Sequence, residues 1–197
     1  FSAHAQRPLT KSETVTCLKL LEMERAAMLM YTSCGWFFTE LSGLEAVQIL
    51  KYAARAIQLA REVTGSSLEE EFLQRLSSAK SNVPQFKDGR GVYEKLVRPH
   101  LATAGRIASV YAMDSLINEE EAEEKHLSHY AYRLHVLHRR KESFGNVTLN
   151  FGRVRVISKT TFEENDLMFI AAQIGLYDFR CSVKPFPSSS RRLSAPW

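Results

Sequence analysis

The chain has 197 residues, of which 45% are hydrophobic, and it carries three cysteines and a formal net charge of +4. This content can fill the core of one domain, or of one domain with a smaller one attached. No stretch approaches the roughly 18–20 apolar residues of a membrane span, and the cysteines are too dispersed for a zinc ribbon or a disulfide framework. We therefore predict a globular protein of a reducing, cytoplasmic compartment, without cofactors.

The first helix is predicted from a start signal and from apolar spacing. Residues 1–9 are polar and begin without an initiating Met, which indicates a disordered lead-in on a piece of a longer polypeptide. Thr10-Lys11-Ser12-Glu13 has the form of a capping box, and the helix should run from there to the region of Ser33. Apolar residues cover every face from Ala26 to Phe38, so we expect a helix buried on all sides at the centre of a bundle.

The end of this helix is the most informative segment of the chain. Ser33, Cys34 and Gly35 interrupt the apolar run, and the aromatic residues Trp36-Phe37-Phe38 follow at once. Large aromatic side chains at a helix end usually belong to the core, but a Trp beside a Gly can also present a flat apolar platform in a cleft. Cys34 is predicted to be a small buried hydrophobic residue rather than a nucleophile, and no catalytic residue is predicted on this chain.

Two further capping-box patterns precede the next helices. Ser42-Gly43-Leu44-Glu45 opens the second helix, and Gly65 ends it. This helix carries a bulky apolar stripe, a small apolar stripe and a polar stripe at helical spacing. The polar stripe, predicted to be the solvated or functional face, comprises Gln48, Lys51, Arg55, Gln58 and Glu62. Ser66-Ser67-Leu68-Glu69 opens a short third helix.

A fourth helical pattern extends from Val92 to Leu116. Pro99 must kink or divide it, because proline has no amide hydrogen and clashes with the preceding turn. The acidic run Glu119–Glu124 follows and is most simply a solvated end of the bundle.

From His126 onward the apolar period changes to two, which is typical of strands. Gly145-Asn146 and Glu164-Asn165 supply turn residues between them. The fold class is therefore α+β, with a bundle of about four helices followed by an antiparallel sheet of four or five strands. The predicted regions are a lead-in (1–9), a helical bundle (10–125), an antiparallel β region (126–186) and a disordered tail (187–197).

The histidines of the last third of the chain suggest metal binding, and its basic residues suggest nucleic-acid binding. The spacing of these residues supports neither function. His126, His129, His135 and His138 form two H-x-x-H pairs, but no more than two of them converge on either a helix or a strand, so no metal site is predicted. Arg153 and Arg155 alternate with apolar residues, as on the solvent face of a strand. We therefore predict no nucleic-acid partner and no membrane partner.

Two carboxyl groups lie beside the aromatic run. Glycoside hydrolysis needs a pair of them about 5–9.5 Å apart. Glu45 is expected instead to complete the capping box of the second helix. Glu40, at the helix junction, is expected to be solvated or paired with Arg55 or Lys51.

Several long motifs are specific enough to indicate a family. They are Glu22-Met23-Glu24-Arg25, Tyr31-Thr32-Ser33-Cys34-Gly35-Trp36-Phe37-Phe38, Leu41-Ser42-Gly43-Leu44-Glu45-Ala46-Val47-Gln48 and Phe151-Gly152-Arg153-Val154-Arg155-Val156. With them, roughly Leu9 to Phe186 closely resembles the domain of unknown function (DUF3536) that follows the catalytic domain in a bacterial branch of glycoside hydrolase family 57.

The resemblance implies a parent protein several times longer, similar to α-amylases and α-mannosidases. Its distorted (β/α) barrel would carry a Glu nucleophile and an Asp acid/base, neither of them on this chain. A helical bundle after the barrel would close one side of the cleft, so that Ser33, Cys34, Gly35 and Trp36 border the substrate.

The expected function is thus that of an accessory region. It would pack on the barrel of a retaining glycoside hydrolase and line the cleft in which an α-linked polysaccharide or oligosaccharide binds. The alternative is a non-catalytic helical interaction module that binds a protein partner.

Overall fold

A computed structural model describes residues 4–118, 124–125 and 131–187 of the chain. Within them are five α-helices and a sheet of four long antiparallel strands with a two-residue strand at one edge, which confirms the α+β class. The helices are α1 (Lys11–Leu29), α2 (Leu44–Thr64), α3 (Glu69–Leu76), α4 (Gly89–Val92) and α5 (Ala104–Ile117). The strands are β1 (Glu124–Lys125), β2 (Tyr132–Phe144), β3 (Val147–Ser158), β4 (Glu164–Ile174) and β5 (Asp178–Pro185).

The chain divides into two compact units, Phe1–Leu101 and Ala102–Trp197. The change of apolar period placed the end of the helical region at residue 125, but α5 belongs to the same unit as the sheet. The reason is that α5 packs its buried face, which includes Ile107, Ala108 and Tyr111, on the strands that follow it. A four-helix bundle is therefore not confirmed, because α1 and α2 are the long helices of the first unit.

In the first unit, α1 and α2 form an antiparallel helical hairpin. The predicted capping box of α1 is confirmed: the Glu13 amide donates to Thr10 Oγ1 at 3.2 Å, and the Thr10 amide donates to the Glu13 carboxylate at 2.9 Å. The predicted end of α2 is also confirmed, since Gly65 has a left-handed φ of 76° that glycine adopts without strain.

Three of the five residues of the polar stripe form a chain of contacts along α2 that reaches α1 through Glu62. Arg55 donates to Gln58 at 3.1 Å, Gln58 donates to Glu62 at 2.9 Å, and Glu62 lies 2.9 Å from the Nζ of Lys19 on α1. Lys19 is buried, so its ammonium group needs this carboxylate. The stripe predicted to be a solvated face is thus partly an interhelical contact.

The capping boxes predicted for α2 and α3 are wrong. The N-cap residues are Gly43 and Leu68, and within the described structure neither helix start receives a side-chain cap. At α2 the physical reason is local. The carboxylate of Glu40 accepts the Ser42 amide at 3.0 Å, so it occupies the donor that a capping box reserves for Glu45.

The rest of the first unit packs short helical turns against α2. Pro99 divides the predicted fourth helix as expected: α4 passes into a π-helical turn over Tyr93–Val97 and a 3₁₀ turn over Arg98–His100, and α5 begins separately. The buried core of the unit comprises Val47, Leu50, Ala54, Leu73, Phe86, Val92, Tyr93 and Val97.

In the second unit, consecutive strands pair along the chain in the order β1-β2-β3-β4-β5. The predicted turn at Gly145-Asn146 is confirmed, since Phe144 pairs with Val147 across it. The turn predicted at Glu164-Asn165 is wrong, because both residues lie in β4 and pair with β3. β3 continues to Ser158 and β4 begins at Glu164, so both strands extend beyond the apolar residues that predict them.

An irregularity in β2 places two of the histidines on one face of the sheet. The register shifts between Val136 and His138, so that His135 and His138 pair with Arg155 and Arg153 and lie on the same face of the sheet. Opposite this bulge, a Cβ on Gly152 would lie 2.1 Å from the carbonyl oxygen of His138. Only glycine therefore fits at that position of β3 without movement of the backbone.

A buried polar network joins α5 to the sheet. Asn150 of β3 is fully buried, and its Nδ2 donates to Ser115 Oγ at 2.5 Å. Arg139 of β2 donates through Nη2 to the carbonyl oxygen of Ser115 at 2.8 Å. This carbonyl belongs to the last turn of α5, where helix carbonyls lack an intrahelical partner, so Arg139 acts as a cap supplied by the sheet.

Several predictions concern residues that the structure does not describe. These are His126, His129, residues 119–123 of the acidic run, residues 1–3 of the lead-in and residues 188–197 of the tail. In the described ranges, no helix has the length and apolar character that crossing a membrane requires.

Candidate functional site

The segment after α1 is a 3₁₀ turn rather than a continuation of the helix. α1 ends at Leu29, and the turn covers Ser33–Trp36. Thr32 separates them, because its backbone is extended at φ −63° and ψ 140° and its hydroxyl donates to the Leu29 carbonyl at 2.9 Å. The side chain thereby satisfies one of the carbonyls that a helix end leaves free.

The aromatic run is not the buried centre of a bundle, contrary to the prediction. Tyr31 is 72% exposed, Phe37 is 83% exposed and Phe38 is 57% exposed. Ser33 and Cys34 are also exposed, so the predicted burial of Cys34 is wrong. The physical reason is that α2 packs along one side of α1 and the 3₁₀ turn, which covers one face of an all-round apolar segment. The Trp36 side chain lies outside the part of the chain that the structure describes.

Gly35 brings the turn into contact with α2. A Cβ at this position would lie 2.2 Å from Cγ1 of Ile49, well inside van der Waals contact. The absence of a side chain therefore lets the backbone of the turn approach the helix. Gly35 acts in positioning Ser33 and Cys34, and it offers no side chain of its own to a ligand.

Replacing Gly35 with alanine is expected to push the turn away from α2 and to cost about 1–3 kcal/mol of unfolding free energy. The obstacle is the side chain of Ile49, so the double variant Gly35→Ala/Ile49→Ala should cost less than the two single variants summed. Urea denaturation of the four proteins measures this coupling. Strict additivity would show that the turn does not rest on Ile49.

A cleft of about 500 Å³ opens between the turn and α2. Its lining residues are Thr32, Cys34, Leu44, Glu45, Gln48, Ile49 and Tyr52. They combine apolar walls with a carboxylate, an amide, hydroxyl groups and a thiol. Few convergent polar groups on a largely apolar surface are typical of a small-ligand site.

Three of these residues were assigned other roles or none by the sequence. The sequence pattern indicates a cap of α2 for Glu45 and the polar stripe for Gln48, and it gives no signal for Tyr52. Their spacing of three and four residues places all three on one face of α2. That spacing is the signal in the sequence, but the turn that completes the cleft is set by tertiary packing.

Glu40 fixes the chain on the far side of the aromatic run. Its carboxylate accepts the Ser81 hydroxyl at 2.7 Å, the Asn82 amide at 2.7 Å and the Ser42 amide at 3.0 Å. The Asn82 side chain also donates to the carbonyl of Thr39 at 3.3 Å. The expected pairing with Arg55 or Lys51 is thus replaced by hydrogen bonds to a loop about forty residues away, and Glu40 is a positioning residue.

These hydrogen bonds predict a pH dependence. The Ser81 hydroxyl, with the Ser42 and Asn82 amides, lowers the pKa of the Glu40 carboxyl from 4.5 to about 2. The stabilisation is complete above the unfolded-state pKa and is lost as the pH falls from about 4.5 toward about 2. Glu40→Gln should therefore be less stable than the natural chain at pH 7, with a gap that narrows below pH 4.5.

Unfolding free energies of both proteins between pH 7 and pH 2.5 measure this gap. The comparison isolates Glu40, because Glu13 and Asp166, whose pKa values are also lowered to about 2, are present in both proteins. A gap that stayed constant down to pH 2.5 would contradict the assignment.

Among the described residues, the cleft lining contains one carboxylate, Glu45, and no pair of carboxylates for acid–base catalysis. Glu40 is committed to Ser81 and Asn82, so Glu45 is the carboxylate that faces the cleft. Within residues 4–118, 124–125 and 131–187, no group of three His, Cys, Asp or Glu side chains is arranged to hold a metal ion. The arrangement is suited to binding and orienting a ligand.

The family model for a domain of unknown function, DUF3536, matches residues 1–195 of the chain. No curated protein matches the chain, and no solved structure matches it either.

Proposed function

The chain belongs to the DUF3536 family of domains of unknown function. We propose that it is the accessory region of a bacterial glycoside hydrolase. In this proposal it is a fragment of a longer parent resembling α-amylases and α-mannosidases. It packs on the catalytic barrel in the cytoplasm and lines the cleft that binds an α-linked polysaccharide or oligosaccharide. The barrel supplies both catalytic carboxyl groups.

The observation that carries the proposal is the set of exposed aromatic side chains next to a largely apolar cleft that holds a few polar groups. Phe37 and Phe38 contact each other edge to face, with ring centroids 5.5 Å apart. Met28 and Tyr31, at the end of α1, are also exposed, at 64% and 72%, so four large apolar side chains of this short segment are left without cover. Such a surface supports burial against another protein layer, here the barrel.

The cleft supports the second part of the proposal. A sugar ring offers one apolar face and several hydroxyl groups, which suit the Tyr52 ring with the Gln48 amide and the Glu45 carboxylate beside it. Ser33, Cys34, Gly35 and Trp36 would border the substrate from the 3₁₀ turn. The chain would thereby bind and orient a sugar without taking part in bond cleavage.

The test uses the full-length parent protein with α-glucan oligosaccharides. Gln48→Leu removes hydrogen bonds without reducing apolar volume, and we expect KM to rise about tenfold with kcat unchanged, the result of losing about 1.4 kcal/mol of uniform binding. Gln58→Leu is the matched control, since Gln58 lies on the same helix but bonds Glu62. An unchanged KM for Gln48→Leu, or a parent without glycosidase activity, would overturn the proposal.

The exposed apolar surface also favours the second candidate, a helical module that binds a protein partner. The two candidates differ in what Phe37→Ser/Phe38→Ser should change. In a hydrolase, the double variant should separate this region from the barrel in limited proteolysis of the parent. In an interaction module, the parent should stay intact and lose a separate protein partner.

A further inference from the structure

The last strand of the sheet, β5, has one partner among the described residues. It pairs along its whole length with β4, and no described strand pairs with its other edge. Proteins usually protect such an edge with bulges, prolines or charges that point inward. The register of β5 with β4 is unbroken, and the residues that face α5 from the middle of the strand, Phe179, Cys181 and Val183, are uncharged. The free edge of β5 is therefore able to accept another strand.

The hydrogen bonds of β5 show which of its backbone groups are directed to the free edge. The Phe186 amide donates to the Asp166 carbonyl at 2.9 Å, so this residue directs its backbone groups to β4. Because the direction alternates along an antiparallel strand, the even-numbered residues of β5 also direct theirs to β4. The outward groups are those of Phe179, Cys181, Val183 and Pro185. A proline fits the outward position, since it has no amide hydrogen to pair with β4.

A second copy of β5 can satisfy these outward groups. Two copies related by a two-fold axis present the same edge to each other, and their strands run antiparallel. With the axis at Cys181, this residue lies opposite its own copy, and Phe179 lies opposite Val183 of the other copy. These are hydrogen-bonded positions, so the outward amides of all three residues find carbonyl acceptors in the other copy. The pairing ends at Pro185, which has no amide hydrogen to donate.

The charges of β5 select this register. On the sheet face opposite α5, Asp178 lies opposite Lys184 of the other copy, and Arg180 lies opposite Ser182. Moving the axis to Arg180 or to Ser182 places Arg180 opposite its own copy or opposite Lys184, and like charges directly opposite each other destabilise a sheet. Asp178 also contacts Arg180 of its own strand at 3.3 Å, but its side chain is still 48% exposed. Its carboxylate can therefore face both cations.

We propose that the free edge of β5 binds the β5 strand of a second copy of this chain, which joins two five-stranded sheets into one. Main-chain hydrogen bonds would supply the affinity, and the charges on the face opposite α5 would fix the register. The inference rests on the second unit alone and is independent of the function proposed for the first.

The experiment measures the association of the 197-residue chain in solution. Sedimentation velocity over a concentration series should show an equilibrium between monomer and dimer. A short bis-maleimide should link two copies through Cys181, because residues opposite each other at hydrogen-bonded positions have Cα atoms about 5.5 Å apart. Cys181→Ser should abolish the link and leave the dimer intact. Mass spectrometry of the linked peptides distinguishes this cysteine from Cys17 and Cys34, which lie in the first unit.

Two charge reversals test the register. Asp178→Lys places a cation opposite Lys184, and Lys184→Glu places an anion opposite Asp178. Each should raise the dimer Kd about tenfold, because a symmetric dimer contains the pair twice. The double variant Asp178→Lys/Lys184→Glu restores opposite charges and should recover the natural Kd. Glu71→Lys is the matched control, since it reverses an exposed, ion-paired charge of the first unit and should leave the Kd unchanged.

Four results would each overturn the proposal. They are a chain that stays monomeric, a dimer that neither charge reversal weakens, a double variant as weak as the single variants, and a link through Cys34 alone. Cover of the edge by another segment of the same chain would give the first of these results.

Discussion

Replacing Asn150 with leucine is expected to lower the free energy of unfolding of the second unit by about 2–4 kcal/mol. The side chain is fully buried, donates to Ser115 Oγ at 2.5 Å and accepts from Arg139 Nε at 3.4 Å. Leucine fills a similar volume but leaves the Arg139 and Ser115 groups facing an apolar side chain. A buried donor without its acceptor costs more than the original hydrogen bond contributed.

Urea denaturation with hydrogen exchange measures this loss, since exchange resolves which unit opens. Ser115→Ala provides the control, because it removes the partner hydroxyl. The double variant should be more stable than the sum of single losses implies, by about 0.5–3 kcal/mol. A loss under about 1 kcal/mol for Asn150→Leu would show that the network contributes less than its burial implies.

Replacing Gly91 with alanine should destabilise the first unit by about 3 kcal/mol, at the upper end for an overpacked site. A Cβ there would lie within van der Waals overlap of the carbonyl oxygen of Phe86. The turn between these residues is constrained, because Lys87 has a left-handed φ of 68° and the Asp88 carboxylate accepts the Gly91 amide at 3.1 Å. The backbone must therefore move to admit a methyl group.

Gly105→Ala is the matched control for this substitution. Gly105 lies in the first turn of α5, and a Cβ there would meet no atom within 4 Å. Alanine at that position should stabilise the chain by about 0.4–1 kcal/mol through the unfolded state. Thermal denaturation of both variants should thus give shifts of opposite sign, and a neutral Gly91→Ala would contradict the proposed close approach.

The candidate site shows where inference from sequence fails. Of the residues predicted to border a substrate, Cys34 lines the cleft beside the 3₁₀ turn. Its expected burial was wrong because an all-round apolar pattern reports the need for cover on several sides, not which neighbour supplies it. The capping-box pattern predicts that Glu45 accepts the Ser42 amide. In the structure, the Ser42 amide donates to the Glu40 carboxylate instead.

Features that depend on a few neighbouring residues could be predicted from the sequence alone. The capping box at Thr10, the glycine end of α2, the break at Pro99 and the turn at Gly145-Asn146 all follow from backbone geometry within one turn. The α+β class follows from the change of apolar period.

Which apolar residues are covered and which polar groups meet depends on tertiary contacts. α5 lies in the same unit as the sheet, and the carboxylate of Glu40 accepts hydrogen bonds from a loop distant in sequence. The face of α2 that carries Glu45 lies beside the 3₁₀ turn. Phe37 and Ile170 are left exposed. Periodicity specifies a face along one element, but burial and hydrogen-bond partners depend on contacts between elements far apart in the chain.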